Sequence, residues 1–307
     1  MTLTAILAQQ LVNGLVLGSF YALVALGYTM VFGVVKLLNF AHGDLFMLGT
    51  LLSATIISRW FSTPDGVQGW VIVAIAVVAC MAFCATINVL IELFAYRRLR
   101  HAPKLAPLIT AVGFSFILQN IGQRWNGSGQ KSWKTVFPQT PWNVHGVLIP
   151  PAFVIILVVT IPLLLLMSWI VAKTRQGRAM RATAQDIDAA RLMGINVNRT
   201  ISFTFALGGA LAGFAGVMFQ QTYGTTRYDL GFQLGLIAFT SAVLGGIGNL
   251  TGAVLGGVLI GLIQGFNDGL PYGFGQKWSQ TVVFTILILL MVFKPEGILG
   301  KPTIEKV

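Results

Sequence analysis

Charge is what this sequence has least of. Only 9% of its 307 residues are Asp, Glu, Lys or Arg, whereas 55% are apolar. A soluble domain carries about 25% charged residues. No charged side chain occurs from Met1 to Val35, from Thr135 to Ala172, or from Leu230 to Asn267. About 20 apolar residues cross the hydrocarbon core of a bilayer, so each run holds at least one crossing and a water-soluble fold is excluded. Cysteine is limited to Cys80 and Cys84, four apart on an apolar stretch and read as helix-packing residues. There is no CxxC pair and no His/Cys cluster, so no metal centre is expected. The three histidines, His42, His101 and His145, fall in unrelated segments. No Ser/His/Asp or paired-carboxylate spacing stands out, so the chain is not read as an enzyme. It has no GxxxxGK[ST] loop, and no cofactor is expected on it; a solute moved with ATP would need another polypeptide to bind ATP and Mg and hydrolyse the nucleotide. The first residues lack a basic n-region, so a cleaved signal peptide is not expected.

The charges that are present are mostly basic and sit between the apolar runs. The net charge is +11. Arg97, Arg98, Arg100 and Lys104 form one group, six more basic residues lie in Lys173–Arg199, and Lys294, Lys301 and Lys306 lie in the tail. Basic loops flanking apolar spans follow the positive-inside pattern. A nucleic-acid groove would gather its charges on one folded face, so nucleic acid is not an expected partner; the lipid bilayer is.

Uninterrupted runs such as Phe153–Met167 exclude a barrel, whose strands alternate, and leave helices. The fold class read here is an all-α polytopic membrane protein in one domain over residues 1–307. It has about eight or nine transmembrane or re-entrant helices and a short helix at the cytoplasmic face, which the resemblance drawn below implies is a coupling helix. Candidate spans run roughly over 5–33, 39–59, 70–95, 105–121, 149–172, 200–220, 234–248, 250–266 and 278–294. Placing both central basic clusters inside puts 122–148 in an external loop, 173–199 in a cytoplasmic loop, and favours an external N-terminus. Glycine recurs every fourth residue at Gly248, Gly252, Gly256 and at Gly257, Gly261, Gly265, with Gly14/Gly18 and Gly209/Gly213 repeating the spacing. Small-xxx-small spacing lets helix backbones approach closely in lipid, which serves packing within one subunit or against a second.

Two segments stand out chemically. The run Asn39-Phe40-Ala41-His42-Gly43-Asp44 opens an otherwise apolar span. It reads either as a solvated turn, or as a re-entrant bend shaping a translocation path, with Asn39, His42, Gly43 and Asp44 as its residues and His42 and Asp44 bonding the broken backbone. The stretch Ala179–Leu192 lacks Gly and Pro and is rich in helix formers, and Gly194 follows as a C′ glycine. It reads as a surface helix, either anchored by its arginines or serving as a docking element. Glu92 is expected to pair with nearby arginines while Tyr96 anchors the interface. Gln119, Asn120, Gln220, Gln221, Thr240, Ser241 and Gln264 divide between path-lining and interhelical bonding.

Asp188-Ala189-Ala190-Arg191-Leu192-Met193-Gly194 resembles the Glu-Ala-Ala-x-x-x-Gly coupling motif of ABC importer permeases, with Asp in place of Glu and without the downstream Ile-x-Leu-Pro. Asn13–Leu23 (NGLVLGSFYAL), Asn39–Asp44 (NFAHGD), Arg175–Ala182 (RQGRAMRA) and Leu244–Asn249 (LGGIGN) narrow the resemblance. It is to the first of the two permeases of the branched-chain amino-acid ABC importer family, over nearly the whole chain. The resemblance implies a multi-pass protein of the bacterial cytoplasmic (inner) membrane. Its implied partners are a second homologous permease, two cytosolic ATP-binding subunits that carry ATP and Mg, and a periplasmic substrate-binding protein. It also implies that Arg178, Arg181, Asp186, Asp188, Ala189, Ala190 and Gly194 couple the chain to an ATPase. The implied cargo is a branched-chain or other neutral amino acid, with urea or a short amide as the alternative inside the family. Outside it stand an ion-coupled transporter, which needs embedded ionisable groups and finds only Asp44 and Glu92, and a passive channel, which needs a selectivity ring.

Overall fold

In the computed structural model the described residues are 3–60, 67–100, 102–103, 105–270 and 273–300. His101, Lys104, Lys301 and Lys306 lie outside them. Apolar composition and the need to satisfy backbone groups in lipid make helices the local solution, and among the described residues eleven α-helices follow in order. They are α1 Leu3–Val35, α2 Ala41–Trp60, α3 Val67–Ile91, α4 Leu105–Asn126, α5 Pro151–Lys173, α6 Arg175–Gln185, α7 Ile187–Leu192, α8 Val197–Tyr223, α9 Leu230–Gly245, α10 Leu250–Gly269 and α11 Ser279–Phe293. Among the described residues eight helices are long and apolar enough to span a membrane, α2 among them and α11 together with the 3-10 turn Gln276–Trp278 that leads into it. The sixteen-residue α9 is shorter, at a rise of about 1.5 Å per residue, and its end differs from expectation. The helix stops at Gly245, and Gly246 and Gly248 adopt φ of +105° and +94° in the turn to α10. Asn249 accepts a bond from Gly252 N to cap α10, so Gly248 belongs to a turn and not to a packing stripe.

The helices α1, α2 and α8 are mostly buried, whereas α3, α4, α5 and α11 present most of their surface outward. Close approach of α1 and α10 rests on the glycines. A Cβ on Gly257 would lie 2.5 Å from Ala22 N, one on Gly265 would lie 2.7 Å from Gly14 Cα, and one on Gly261 would overlap Gly18. The neighbouring face of α10 uses Gly252 and Gly256 in the same way against Gly245 and Ser241 of α9. Both glycine faces of α10 are thus filled within the chain. Gly209 and Gly213 of α8 meet the backbone of α3 at Cys84 and Cys80, whose thiols donate to Leu45 O and Gly49 O of α2.

Two ends can be distinguished by their cross-links. At one end lie the α1–α2 link, the α3–α4 link, α6–α7, the α9–α10 turn and Lys294–Gly300. Tyr96 Oη donates to Leu38 O there, Arg100 to Asn198 Oδ1, and Asn249 Nδ2 to Leu299 O. At the other, Gln9 exchanges bonds with both backbone groups of Leu148 and Trp133 N donates to Gly224 O. Lys36, Arg97, Arg98, Arg100, Lys173, Arg175, Arg178, Arg181, Arg191, Arg199 and Lys294 mark the first as the basic end. The start of α1 lies at the opposite end, together with the 127–150 loop. That loop begins later than expected because α4 runs on to Asn126. It carries short strands β1 Lys131–Ser132, β2 Trp142–Val144 and β3 Val147–Ile149; β2 pairs with β3, and β1 pairs with β4 Thr225–Thr226.

Candidate translocation vestibule and docking loop

A cavity of about 830 Å³ opens at the end opposite the basic one, between α1, α5, α8, α9, α10 and α11. Its polar lining includes Gln10 and Asn13 from α1, Gln233 from α9, and Gln264 and Asp268 from α10, with Tyr21 Oη donating to Gln264 Oε1 at 2.6 Å. Its apolar and aromatic lining comes from Leu17, Phe20, Phe219, Leu234 and Ile237. Phe219 stacks edge-on against Phe20 and Phe46 at 5.3 and 5.4 Å. A mixed wall of this kind suits a small solute with a polar head and an apolar tail.

Beyond Ile237 the space closes. Tyr28, His42, Phe40 and Phe239 form a ring cluster with centroids 4.8–6.2 Å apart. On its far side lies a void of about 10 Å³ lined by Tyr28, Thr29, Leu38, Asn39, Phe239 and Ala242, among others. That is at the lower limit for one water molecule. Both spaces lie along α1 and α9, with the aromatic cluster between them.

The 39–44 run is neither a solvated turn nor a bend held by its own side chains. Asn39, His42 and Asp44 are buried. Asn39 Nδ2 donates to Asn88 Oδ1, and Asn88 Nδ2 donates to Phe205 O, which ties the link to α3 and α8. His42 lies edge-on to Tyr28, and neither ring nitrogen has a partner among the described residues. Gly43 allows contact with Gly231 and Gly235 of α9. Asp44 Oδ2 accepts from Ser115, which in turn accepts from Gln119, while Asp44 Oδ1 has no described partner. A continuous helix begins at Ala41, so the backbone there is not broken. Tyr96 also departs from expectation. It is buried and bonds Leu38 O instead of anchoring an interface. Glu92 receives Arg97, Arg100 and Ser202 while fully buried, in a π-helical turn over Glu92–Tyr96 that re-aims the end of α3.

Of the polar residues expected either to line a path or to bond between helices, Gln264 alone lines the large cavity. Thr240, Ser241 and Asn120 bond back to their own helices. Gln220 and Gln221 hold the external loop through Lys134 O and Val136 N. Residues missed in the sequence include Gln10, Asn13, Phe219, Asp268 and Lys277. The signal for Asp268 is that it ends the long uncharged run.

At the basic end the expected single helix is two. Asp186 leaves the helical conformation (φ −154°, ψ 117°) and its Oδ1 accepts from Asp188 N and Ala189 N, so it stops α6 and caps α7. Thr174 caps α6 through Gly177 N. Arg178 and Arg181 reach back to Lys173 O and Val171 O at the end of α5. These contacts brace the loop. Asp188 pairs with Arg191 at 3.1 Å. Ala190 is 4% exposed and faces inward, so its side chain is not offered for docking. Leu192 and Met193 are 89% and 83% exposed beside Gly194, whose φ of +80° turns the chain away.

A family model described as branched-chain amino acid transport system, permease component, matches residues 10–292. The chain is 41% identical over 304 residues to the high-affinity branched-chain amino acid transport system permease protein BraD of Pseudomonas aeruginosa, covering 97% of both. It is 38% identical over 305 residues to the corresponding permease protein LivH of Escherichia coli K12, again covering 97% of both. A probable branched-chain amino acid transport permease protein LivH of Methanocaldococcus jannaschii is 27% identical over 297 residues, covering 94% of this chain and 91% of that protein.

Proposed function

The chain belongs to the family of branched-chain amino acid transport permeases and is a multi-pass permease subunit of an ABC importer, and from this we propose what it carries and with whom. It forms half of the passage for branched-chain and other neutral hydrophobic amino acids across the bacterial cytoplasmic membrane. A second, homologous permease supplies the other half. Two cytosolic subunits bind and hydrolyse ATP, and a periplasmic protein delivers the substrate. In this reading the basic end is cytoplasmic and the vestibule faces the delivering protein.

The observation that carries the assembly is the tip of α7. Leu192 and Met193 stand almost fully exposed at the basic end, closing a short helix capped by Asp186 that follows α6, which two arginines brace to α5. Apolar side chains held rigidly in water are what a groove on a partner recognises. Asp188, Ala189 and Gly194 flank them and complete the docking surface. An ATPase moving that tip would bias the helices between two packed arrangements. Purification of the tagged chain from membranes tests this. Two ATP-binding proteins and a second permease are expected with it; a homo-oligomer alone would defeat the reading.

A further inference from the structure

We propose that the vestibule contains a subsite for the zwitterionic head of a neutral amino acid, with Asp268 receiving the ammonium group and Lys277 the carboxylate. The inference rests on the functional reading above and adds that this chain itself selects its cargo. Among the described residues, Asp268 and Lys277 are the two charged ones that line the cavity. One fixed charge of each sign makes the lining neutral overall and matches a zwitterion better than a cationic or anionic solute. Asp268 sits in the last turn of α10, where the helix dipole disfavours a negative charge. Its Oδ1 is occupied by Ser279 Oγ and Asn267 Nδ2, whereas Oδ2 has no bond from a described residue. Lys277 makes no ion pair among the described residues. Gln264, one turn before Asp268 on α10, adds a further polar group to the lining, and Phe20 and Phe219 offer an apolar surface to the side chain. Charge-assisted hydrogen bonds at both ends of the head group would orient the tail toward those rings.

A purely structural role is the competing account, since Ser279 links Asp268 to the start of α11. The test uses the complete importer in proteoliposomes, with the binding protein saturated with radiolabelled L-leucine. Uptake and binding-protein-stimulated ATP hydrolysis are measured together. Asp268→Asn and Lys277→Gln are each expected to lower leucine uptake about tenfold, the cost of one charge-assisted bond, while ATP hydrolysis stays within about twofold. Ser279→Ala, which removes the link to α11 and leaves both charges and the Asn267 bond to Asp268 in place, is expected to keep uptake near wild type. Wild-type uptake in Asp268→Asn would overturn the proposal. So would loss of uptake, hydrolysis and abundance together in both Asp268→Asn and Ser279→Ala. A wild-type complex that hydrolyses ATP yet carries no neutral amino acid would overturn the functional reading, and this inference with it.

Discussion

Gly261 leaves no room for a methyl group. A Cβ there would overlap Gly18 of α1, and the obstacle is backbone, which cannot rotate aside as a side-chain tip can. Gly14, Gly18, Gly257 and Gly265 share that interface. Overpacking a close-packed site costs about 1–3 kcal/mol and more when main chains must separate. Gly261→Val is therefore expected to lower the thermal unfolding temperature of the purified protein by several degrees and to reduce its abundance in membranes. Gly113, where a Cβ would meet nothing within 4 Å, is the matched control, and Gly113→Ala should be silent. Buried polar residues follow the same local logic. Asn39 and Asn88 satisfy one another and the backbone of α8, while Glu92 is held by two arginines and a serine. Removing one member of such a group leaves the others unpaired in a medium of low dielectric.

Among the elements, α6 and α7 show how a polar loop becomes ordered. Thr174, Asp186 and Asn196 each cap the helix that follows, and Gly194 closes α7 with a left-handed residue. No long apolar stripe is needed, because the caps and the arginines to α5 fix the geometry. The apolar side chains then divide. Met180 and Ala190 face the membrane domain, while Leu192 and Met193 face away from it. A Leu192→Asp, Met193→Asp double variant is expected to keep its abundance and fold, since both positions are solvent-exposed. Its substrate-stimulated ATP hydrolysis should fall by about tenfold or more, the scale of losing an interface anchor. Undiminished stimulation in the purified complex would rule out the docking role.

At the scale of the whole molecule, α1, α2 and α8 form a buried centre on which the outer helices lean, and the cavity opens beside it at the end opposite the basic one. The closed segment at Tyr28, His42, Phe40 and Phe239 separates the vestibule from the basic end. Orientation can be read directly. Cys80 and Cys84 are both buried, so single cysteines placed at Gly129 and at Met193 report on their own ends. In intact cells an impermeant maleimide is expected to label Gly129→Cys and to leave Met193→Cys unlabelled until the membrane is permeabilised. The reverse pattern would invert the topology and with it the assignment of the vestibule to the delivery side.

Composition alone determined that this chain lives in a membrane, because three uncharged runs cannot be folded any other way. It also located the helices to within a few residues and showed which end is basic, since lipid leaves the backbone no alternative to helix and charges collect outside it. The glycine spacing announced close helix contacts but not the partner. Only the packed structure showed that both faces of α10 are filled by α1 and α9. The same holds for polar residues. His42 and Asp44 look like a wet turn in one dimension and are buried in three, because their surroundings come from α1, α4 and α9. Asp268 is one acid among nine in the sequence. It faces a cavity because α1, α5, α8, α9 and α11 enclose a space beside the end of α10. Periodicity records which residues share a helix face, whereas burial depends on which helix covers that face, and this is decided by contacts distant in the chain.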